Sequence, residues 1–249
     1  MNAADMVVIV TGGGAGIGLA AARAFARGGA NVLITGRRAN KLEEITRDEP
    51  RIKWVAADAG NALDARRTID SALKLWGRVD VLVNNAGAGA PLALEDATAE
   101  RVNSVYTINT IGPTLLAAAA VPHLEASRGA IVNVSSSLGS KAVAGFADYC
   151  ASKAALEHLT RCWALELAPR RIRVNAVASG PVESDFLRER MGLSHLEAEA
   201  VKERERSAIP LGRRGVPDDV ARWIVALATK DADWVTGQIV HIDGGFTLT

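Results

Sequence analysis

Two hydrophobic rhythms take turns along this chain. Short aliphatic and β-branched runs at Met6–Val10, Asn31–Thr35, Arg51–Ala57, Val79–Val83, Ala130–Val134, Arg173–Val177 and Ile239–Ile242 read as strands, most of them apolar enough to be buried on both faces. Longer segments of helical character lie between them. These are Leu19–Arg27, Asp64–Trp76 closed by Gly77, Thr98 to about Val121, Asp148–Leu167 stopped by Pro169, and Pro217–Thr229. Pro113 and Pro122 are expected to bend or end the long helix. Phe186–Ser207 is helix-like but densely charged, without one clean apolar stripe, and reads as a mobile lid. The alternation never breaks, and there is no linker, repeat or low-complexity stretch. The pattern predicts one doubly wound α/β domain over residues 1–249, with a lid at 184–207.

Composition narrows the function classes. The chain has 249 residues, 49% apolar and 23% charged, as expected for a soluble protein with a sizeable core. A formal net charge of +1 gives no reason to expect nucleic acid or an anionic membrane surface as partner. No run reaches the ~18 apolar residues of a membrane span. Asp5 ahead of a short apolar run lacks the basic flank of a secretion signal, so a cytoplasmic location is expected. Cys150 and Cys162, twelve apart on one helix, point about 120° apart and read as small packing residues. His123, His158, His195 and His241 are scattered without ligand spacing, and no metal site is expected.

Candidate chemistry then appears at the strand ends. Thr11-Gly-Gly-Gly-Ala-Gly-Ile-Gly18 follows the first strand and opens a helix, an arrangement that aims backbone N–H groups at a phosphate. The strict G-x-G-x-x-G spacing is absent, and a tight structural turn needs glycine for the same reason. After the second strand stands Gly36-Arg37-Arg38, where an NAD-preferring fold has a carboxylate for the ribose 2′-hydroxyl; a guanidinium there suits a 2′-phosphate and favours NADP over NAD, the alternative being that both arginines are solvated loop charges. Ala15 supplies no second basic contact beside the glycine loop. Asp58, at the end of the third strand, either accepts a bond from an adenine amine or caps the next helix. Asn84-Asn-Ala-Gly87 offers small residues for a cofactor ring and amides to brace neighbouring strands, or a plain strand-end turn. Asn109 lies mid-helix against its propensity.

Tyr149 and Lys153 fall one turn apart on one helical face. A cation beside a tyrosine favours the phenolate, and a phenol tuned towards neutrality can exchange a proton with a substrate oxygen. Ser136 offers a hydroxyl to the same oxygen. Taken alone, the Tyr–Lys spacing also describes an ordinary surface pair.

Together these residues resemble the short-chain dehydrogenase/reductase family over essentially the full length. The matching positions are Thr11-Gly-x-x-x-Gly-Ile-Gly18, Asn84-Asn-Ala-Gly87, Asn109, Ser136, Tyr149-x-x-x-Lys153 and the tail Val235-Thr-Gly-Gln…Asp243-Gly-Gly245. The resemblance implies a three-layer Rossmann fold with a parallel seven-stranded sheet in the order 3-2-1-4-5-6-7. It implies a catalytic tetrad of Asn109, Ser136, Tyr149 and Lys153. Tyr149 would be the general acid or base. Lys153 would bind the nicotinamide ribose and depress the tyrosine pKa, Ser136 would orient the carbonyl, and Asn109 would hold a relay water. The cofactor would meet Gly12, Gly16, Ile17, Gly18, Arg37, Asp58, Ala59, Asn85, Ala86, Gly87, Val182 and Ser184. Ser179-Gly180-Pro181 departs from the family's Pro-Gly, which predicts a looser loop and weaker contacts at Val182 and Ser184.

The substrate pocket is expected along Ala88–Pro91, Ser137, Leu138, Val143–Phe146, Pro181, Val182, Phe186, Leu187, Met191 and Leu193, mostly small or apolar residues that suit a moderately apolar carbonyl or alcohol. The C-terminal half looks most like 3-oxoacyl-(acyl-carrier-protein) reductases, and the family implies a homotetramer or homodimer. The alternatives are an NADP-binding sensor or scaffold without turnover, and a dehydratase or epimerase acting through transient oxidation.

Overall fold

The computed structural model describes residues 3–189 and 191–249. Seven strands, β1 (Val7–Val10), β2 (Asn31–Gly36), β3 (Ile52–Ala56), β4 (Val81–Asn84), β5 (Ala130–Ser136), β6 (Arg173–Ser179) and β7 (Ile239–Ile242), make one sheet. Every pairing is parallel and the order is β3-β2-β1-β4-β5-β6-β7. The helices are α1 (Gly16–Arg27), α2 (Ala39–Thr46), α3 (Ala62–Trp76), α4 (Ala99–Tyr106), α5 (Gly112–Ser127), α6 (Ala147–Leu167), α7 (Phe186–Glu189), α8 (His195–Ala208) and α9 (Pro217–Ala228).

Two apolar layers explain the continuous hydrophobic runs. Val8 and Val10 of β1 pack towards Phe25 of α1 and Ile224 of α9. Val7 and Ile9 face the opposite layer, with Ile69 of α3, Leu116 and Leu124 of α5, and Leu167 of α6. A strand with both faces buried cannot alternate apolar with polar. The Rossmann-type arrangement and the strand order are those expected from sequence.

Polar side chains inside the sheet are linked in a row, with Asn84 Oδ1 left without a partner among the described residues. Asn84 Nδ2 donates to Asn133 Oδ1 at 2.9 Å, and Asn133 Nδ2 donates to Thr160 Oγ1 at 2.9 Å. Thr160 Oγ1 in turn donates to the Leu156 carbonyl within α6.

Several expectations need correction. The short helix α2, which begins directly after Arg38, was not expected. Pro122 does not end the long helix, since α5 runs through it to Ser127. Pro113 sits in the first turn of α5, and the five residues before Gly112, Thr107–Ile111, form a π-helical turn. Proline has no N–H to offer the carbonyl four residues back, that of Asn109, so the helix widens where Asn109 lies. The composite helix Ala99–Ser127 is long and apolar enough to span a membrane by length and composition, although no unbroken apolar run of that length exists; a third of its most apolar window is buried. Leu116, Ala117, Ala120 and Leu124 sit in the core of the fold, which accounts for that composition. Cys150 is half-buried, whereas Cys162 is exposed on α6 and is not the packing residue expected.

Candidate active site

The C-terminal strand ends converge on one cleft of about 650 Å³. Of the residues singled out from sequence, Gly12, Gly16, Ile17, Gly18, Arg37, Asp58, Ala59, Asn85, Ala86, Gly87, Ser136, Tyr149, Lys153, Val182 and Ser184 all line it. Asn109 stands behind the wall.

At one end is the glycine loop. Gly12 and Gly16 have φ of +65° and +51°, a region open to glycine and strained for other residues. Helix α1 starts at Gly16 with Ala15 as N-cap, so no side chain caps it and no acidic residue stands in its first turn. The first N–H groups of a helix have no intrahelical partner, and here they face the cleft; a Cβ on Gly16 would just touch Ser184 Cβ at 3.7 Å. That cradle fits a phosphate group. Gly18 serves packing, since a Cβ there would lie 2.4 Å from Asn85 Nδ2. Thr11 ties the loop to β4, with its Oγ1 accepting from Asn85 N and Ala86 N at 2.9 Å each. Asn85 Nδ2 returns a bond to the Thr11 carbonyl at 2.8 Å. The bracing expected of the asparagines is present, made by Asn85 here and by Asn84 within the sheet.

Beyond β2, Arg37 is exposed at the cleft wall and has no ion-pair partner among the described residues. Arg38 points elsewhere. Its Nη2 meets Glu189 Oε2 of α7 at 2.8 Å, and Lys41 Nζ approaches Glu189 Oε1 at 3.8 Å. Asp58 does not cap α3. Asn61 does so, its side chain accepting from Leu63 N and Asp64 N, while Asp58 Oδ1 accepts from Gly60 N at 2.9 Å. Asp58 is held by its own turn, with Asp64 Oδ2 accepting from Asp58 N at 2.7 Å.

Ser136, Tyr149 and Lys153 meet at the centre. Tyr149 and Lys153 are 7% and 4% exposed, so they are not a surface pair. Lys153 Nζ lies 5.8 Å from the Tyr149 ring centroid and donates to the Val134 carbonyl at 2.9 Å. Burial pushes Tyr149 up to about 12, against a lowering pull from the Ser136 hydroxyl. Burial also pushes Lys153 down to about 8. The expected depression of the tyrosine is therefore not found. Loss of water around the phenolate outweighs the help it receives. Gly89 packs flat on the ring, where a Cβ would sit 2.6 Å from Tyr149 Cδ2.

Asn109 is buried in the π turn. Its Oδ1 accepts from Ala88 N at 3.0 Å and its Nδ2 donates to the Ala88 carbonyl at 2.8 Å and to Ser152 Oγ at 2.9 Å. A Cβ on Gly87 would lie 3.3 Å from both Asn109 Oδ1 and Lys153 Nζ, so Gly87 stands between Asn109 and the cleft and leaves room beside the lysine.

The loop after β6 is tighter than Ser179-Gly180-Pro181 suggested. Gly180 N donates to the Ile242 carbonyl at 2.9 Å, and a Cβ on Gly180 would stand 2.5 Å from Asp243 Cα. Val182 forms a parallel bridge with Gly215. Glycine, rather than the residue before it, lets these segments close. Ser184 Oγ accepts from Phe186 N at 3.4 Å and fixes the turn into α7.

Of the expected pocket residues, Ala88, Ser137, Leu138, Val143, Phe146, Pro181, Phe186, Leu187, Met191 and Leu193 line the cleft. Gly89, Ala90, Pro91, Ala144 and Gly145 do not. Sequence reasoning missed a charged outer part formed by Glu183, Glu189, Arg204, Glu205 and Arg214, and missed Phe246. Arg214 is almost fully buried. Its Nε faces Glu183 Oε1 at 3.2 Å, its Nη1 pairs with Glu205, and its Nη2 donates to the Val182 carbonyl at 2.6 Å. The signal available was the pair of arginines in Leu211-Gly-Arg-Arg-Gly215. The charged segment 184–207 carries α7 and most of α8, the latter opened by a reciprocal cap between Ser194 and Glu197. Arg190, within that segment, lies outside the described residues. No cluster of three or more His, Cys, Asp or Glu suited to a metal occurs among the described residues.

Comparison with known proteins follows this geometry. A family model described as Enoyl-(Acyl carrier protein) reductase matches residues 12–247. The 3-oxoacyl-[acyl-carrier-protein] reductase FabG of Thermotoga maritima is 34% identical, the alignment covering 100% of both chains. A short-chain dehydrogenase/reductase of unknown function from Caenorhabditis elegans, crystallised with cofactor, superposes with a TM-score of 0.93 at 35% identity, over 99% of this chain and 96% of that one. The 3-ketoacyl-(acyl-carrier-protein) reductase from Brucella melitensis, complexed with NADH, gives 0.91 at 31% identity over 99% and 100%.

Proposed function

Because this chain belongs to the short-chain dehydrogenase/reductase family of oxidoreductases, we propose that it is a single-domain, NADP(H)-dependent enzyme interconverting a ketone and a secondary alcohol. The carrying observation is the layout of one cleft. An uncapped helix N-terminus and the unpaired Arg37 stand at one end, and Ser136, Tyr149 and Lys153 meet at its centre. NADP, when bound, supplies or accepts the hydride. Gly12, Gly16, Ile17 and Gly18 would hold its pyrophosphate, and Arg37 its 2′-phosphate. Asp58 and Ala59 would border the adenine. Asn85, Ala86, Gly87, Val182 and Ser184 would enclose the ribose and nicotinamide.

Tyr149 is the proton donor in reduction. Its raised pKa keeps it a neutral phenol at pH 7, the form that can give a proton to a carbonyl oxygen. Ser136 donates a hydrogen bond to that oxygen, and Lys153 holds the ribose. Asn109, pinned to Ala88 and Ser152 in the widened helix, would hold the relay water that links Lys153 to solvent. The apolar inner wall of Leu138, Val143, Phe146 and Phe186 favours a moderately apolar substrate, with residues 184–207 as its lid. Exposed Ile111 and Leu115 on the long helix and Leu165 on α6 suit helix contacts between copies, and we read a homotetramer or homodimer. Two free thiols fit a cytoplasmic setting.

The test is NADPH oxidation by purified protein across ketones, aldehydes, diketones and oxoacyl thioesters, with NADH run in parallel. Substrate-dependent oxidation faster with NADPH supports the reading. A preference for NADH overturns the cofactor assignment. Cofactor binding without turnover on any substrate favours a sensor.

A further inference from the structure

The face of α6 that carries Tyr149 and Lys153 continues one turn further to Glu157. This carboxyl is 6% exposed, in a place where an apolar side chain would cost nothing to bury. Its Oε1 accepts from Ser135 Oγ at 2.8 Å. The same hydroxyl lies 3.3 Å from the Lys153 carbonyl. Gly139 presses against the carboxylate from the other side, so closely that a Cβ there would sit 2.3 Å from Oε1 and 2.9 Å from Cδ. Ser135 is the residue before Ser136, and Gly139 ends the short turn Ser137–Gly139 that follows it. One carboxyl therefore bonds one end and packs against the other end of the five-residue stretch that presents Ser136, Ser137 and Leu138 to the cleft.

We propose that Glu157 is a positioning residue, which fixes Ser136 by clamping Ser135 and Gly139 on either side of it. The inference rests on the reading of Ser136 as the hydroxyl that meets the substrate oxygen. The groups around Glu157 agree with a held carboxyl. Burial raises its pKa, while the Ser135 hydroxyl, His241 of β7, and Arg161 and Lys153 of its own helix all pull the other way. Ser136 Oγ accepts from Leu138 N at 3.2 Å, a bond that depends on the shape of the turn Glu157 supports. Displacement of a reacting group by part of an ångström is enough to slow a proton transfer that needs hydrogen-bond contact.

The experiment compares kcat, substrate KM and NADPH Kd for Glu157→Leu, Glu157→Gln, Ser135→Ala, Ser136→Ala and the double variant Ser136→Ala/Glu157→Leu. Glu157→Leu is expected to lower kcat about ten- to a hundredfold with NADPH affinity nearly unchanged. Glu157→Gln keeps an oxygen for Ser135 and should recover most of the loss. In the double variant the Glu157 change should cost nothing more, because its effect passes through Ser136. Losses that multiply, or a Glu157→Leu enzyme with full kcat, overturn the inference while leaving Ser136 in place. If Ser136→Ala itself keeps full activity, the reading of Ser136 fails and takes the inference with it. Should Glu157→Leu not fold, Ser135→Ala removes the same bond from the strand side and decides alone, with loss of kcat for the inference and full kcat against it.

Discussion

The ammonium of Lys153 meets the carbonyl of Val134 at 2.9 Å, deep inside the molecule. Burial holds this lysine at about 8 against an ordinary 10.5, so across that interval the unfolded chain binds more protons than the folded one. Stability contributed by this site is poorest below about pH 8 and rises from there to 10.5. Tyr149 has the opposite sign. Its folded value near 12 exceeds the ordinary 10.0, so its contribution is complete below pH 10.0 and is lost as the pH climbs to 12. Lys153→Met should therefore melt higher than the parent at pH 7 while losing turnover, and the gain should shrink as the pH rises past 8. Thermal unfolding at a series of pH values checks this; melting curves that stay parallel across the range would contradict it.

Tyr149→Phe removes the phenol hydroxyl and little else. Turnover should fall by the ~10²–10⁴ typical of a lost acid–base group, with NADPH affinity nearly intact. Steady-state rates and fluorescence titration separate the two quantities. Unchanged turnover would remove Tyr149 from the chemistry.

Arg37→Ala takes away the exposed, unpaired guanidinium at the cleft wall. NADPH binding should weaken about tenfold or more, as for a charged hydrogen bond, and NADH binding should hardly change. Equal losses for both cofactors would show that Arg37 does not read the 2′-phosphate.

Glu189→Gln breaks the link from α7 to Arg38 and Lys41. An exposed pair adds little to global stability, so the melting temperature should hold. The effect should be local, with faster amide exchange confined to Phe186–Glu189 and its neighbours. Exchange rates identical to the parent in that stretch would mean that the pair does not restrain the lid.

Most of the architecture was legible because strands buried on both faces write themselves as unbroken apolar runs. Val7–Val10 is such a run. The cleft residues were legible because they sit at strand ends, where glycine and polar residues interrupt that pattern. What escaped depended on partners far along the chain. Asp58 offered two equal readings until Asn61 was seen to take the cap. The tyrosine's environment was misread because sequence shows the neighbouring lysine but not the dryness around both. Glu157 had the helical spacing to be noticed, yet only the approach of Gly139 and Ser135 distinguishes it from a solvated glutamate. Arg214 went unremarked in the sequence, and its burial goes with the pairing to Glu183 and Glu205, the first of them 31 residues away.

The amides of Asn84 and Asn133 and the hydroxyl of Thr160, linked through the middle of the sheet, also bear on how the chain finds this arrangement. Side chains on a strand alternate in direction, so a slip of β5 by one residue would turn Asn133 away from Thr160 and into the valine layer on the opposite face. Each amide stranded there would cost about 1–3 kcal/mol. Valine against valine tolerates many alignments almost equally well, but this row of three polar groups tolerates one. It acts as a proofreader for the sheet, penalising any alignment of its strands other than the one that brings the glycine loop and the tyrosine to a common edge.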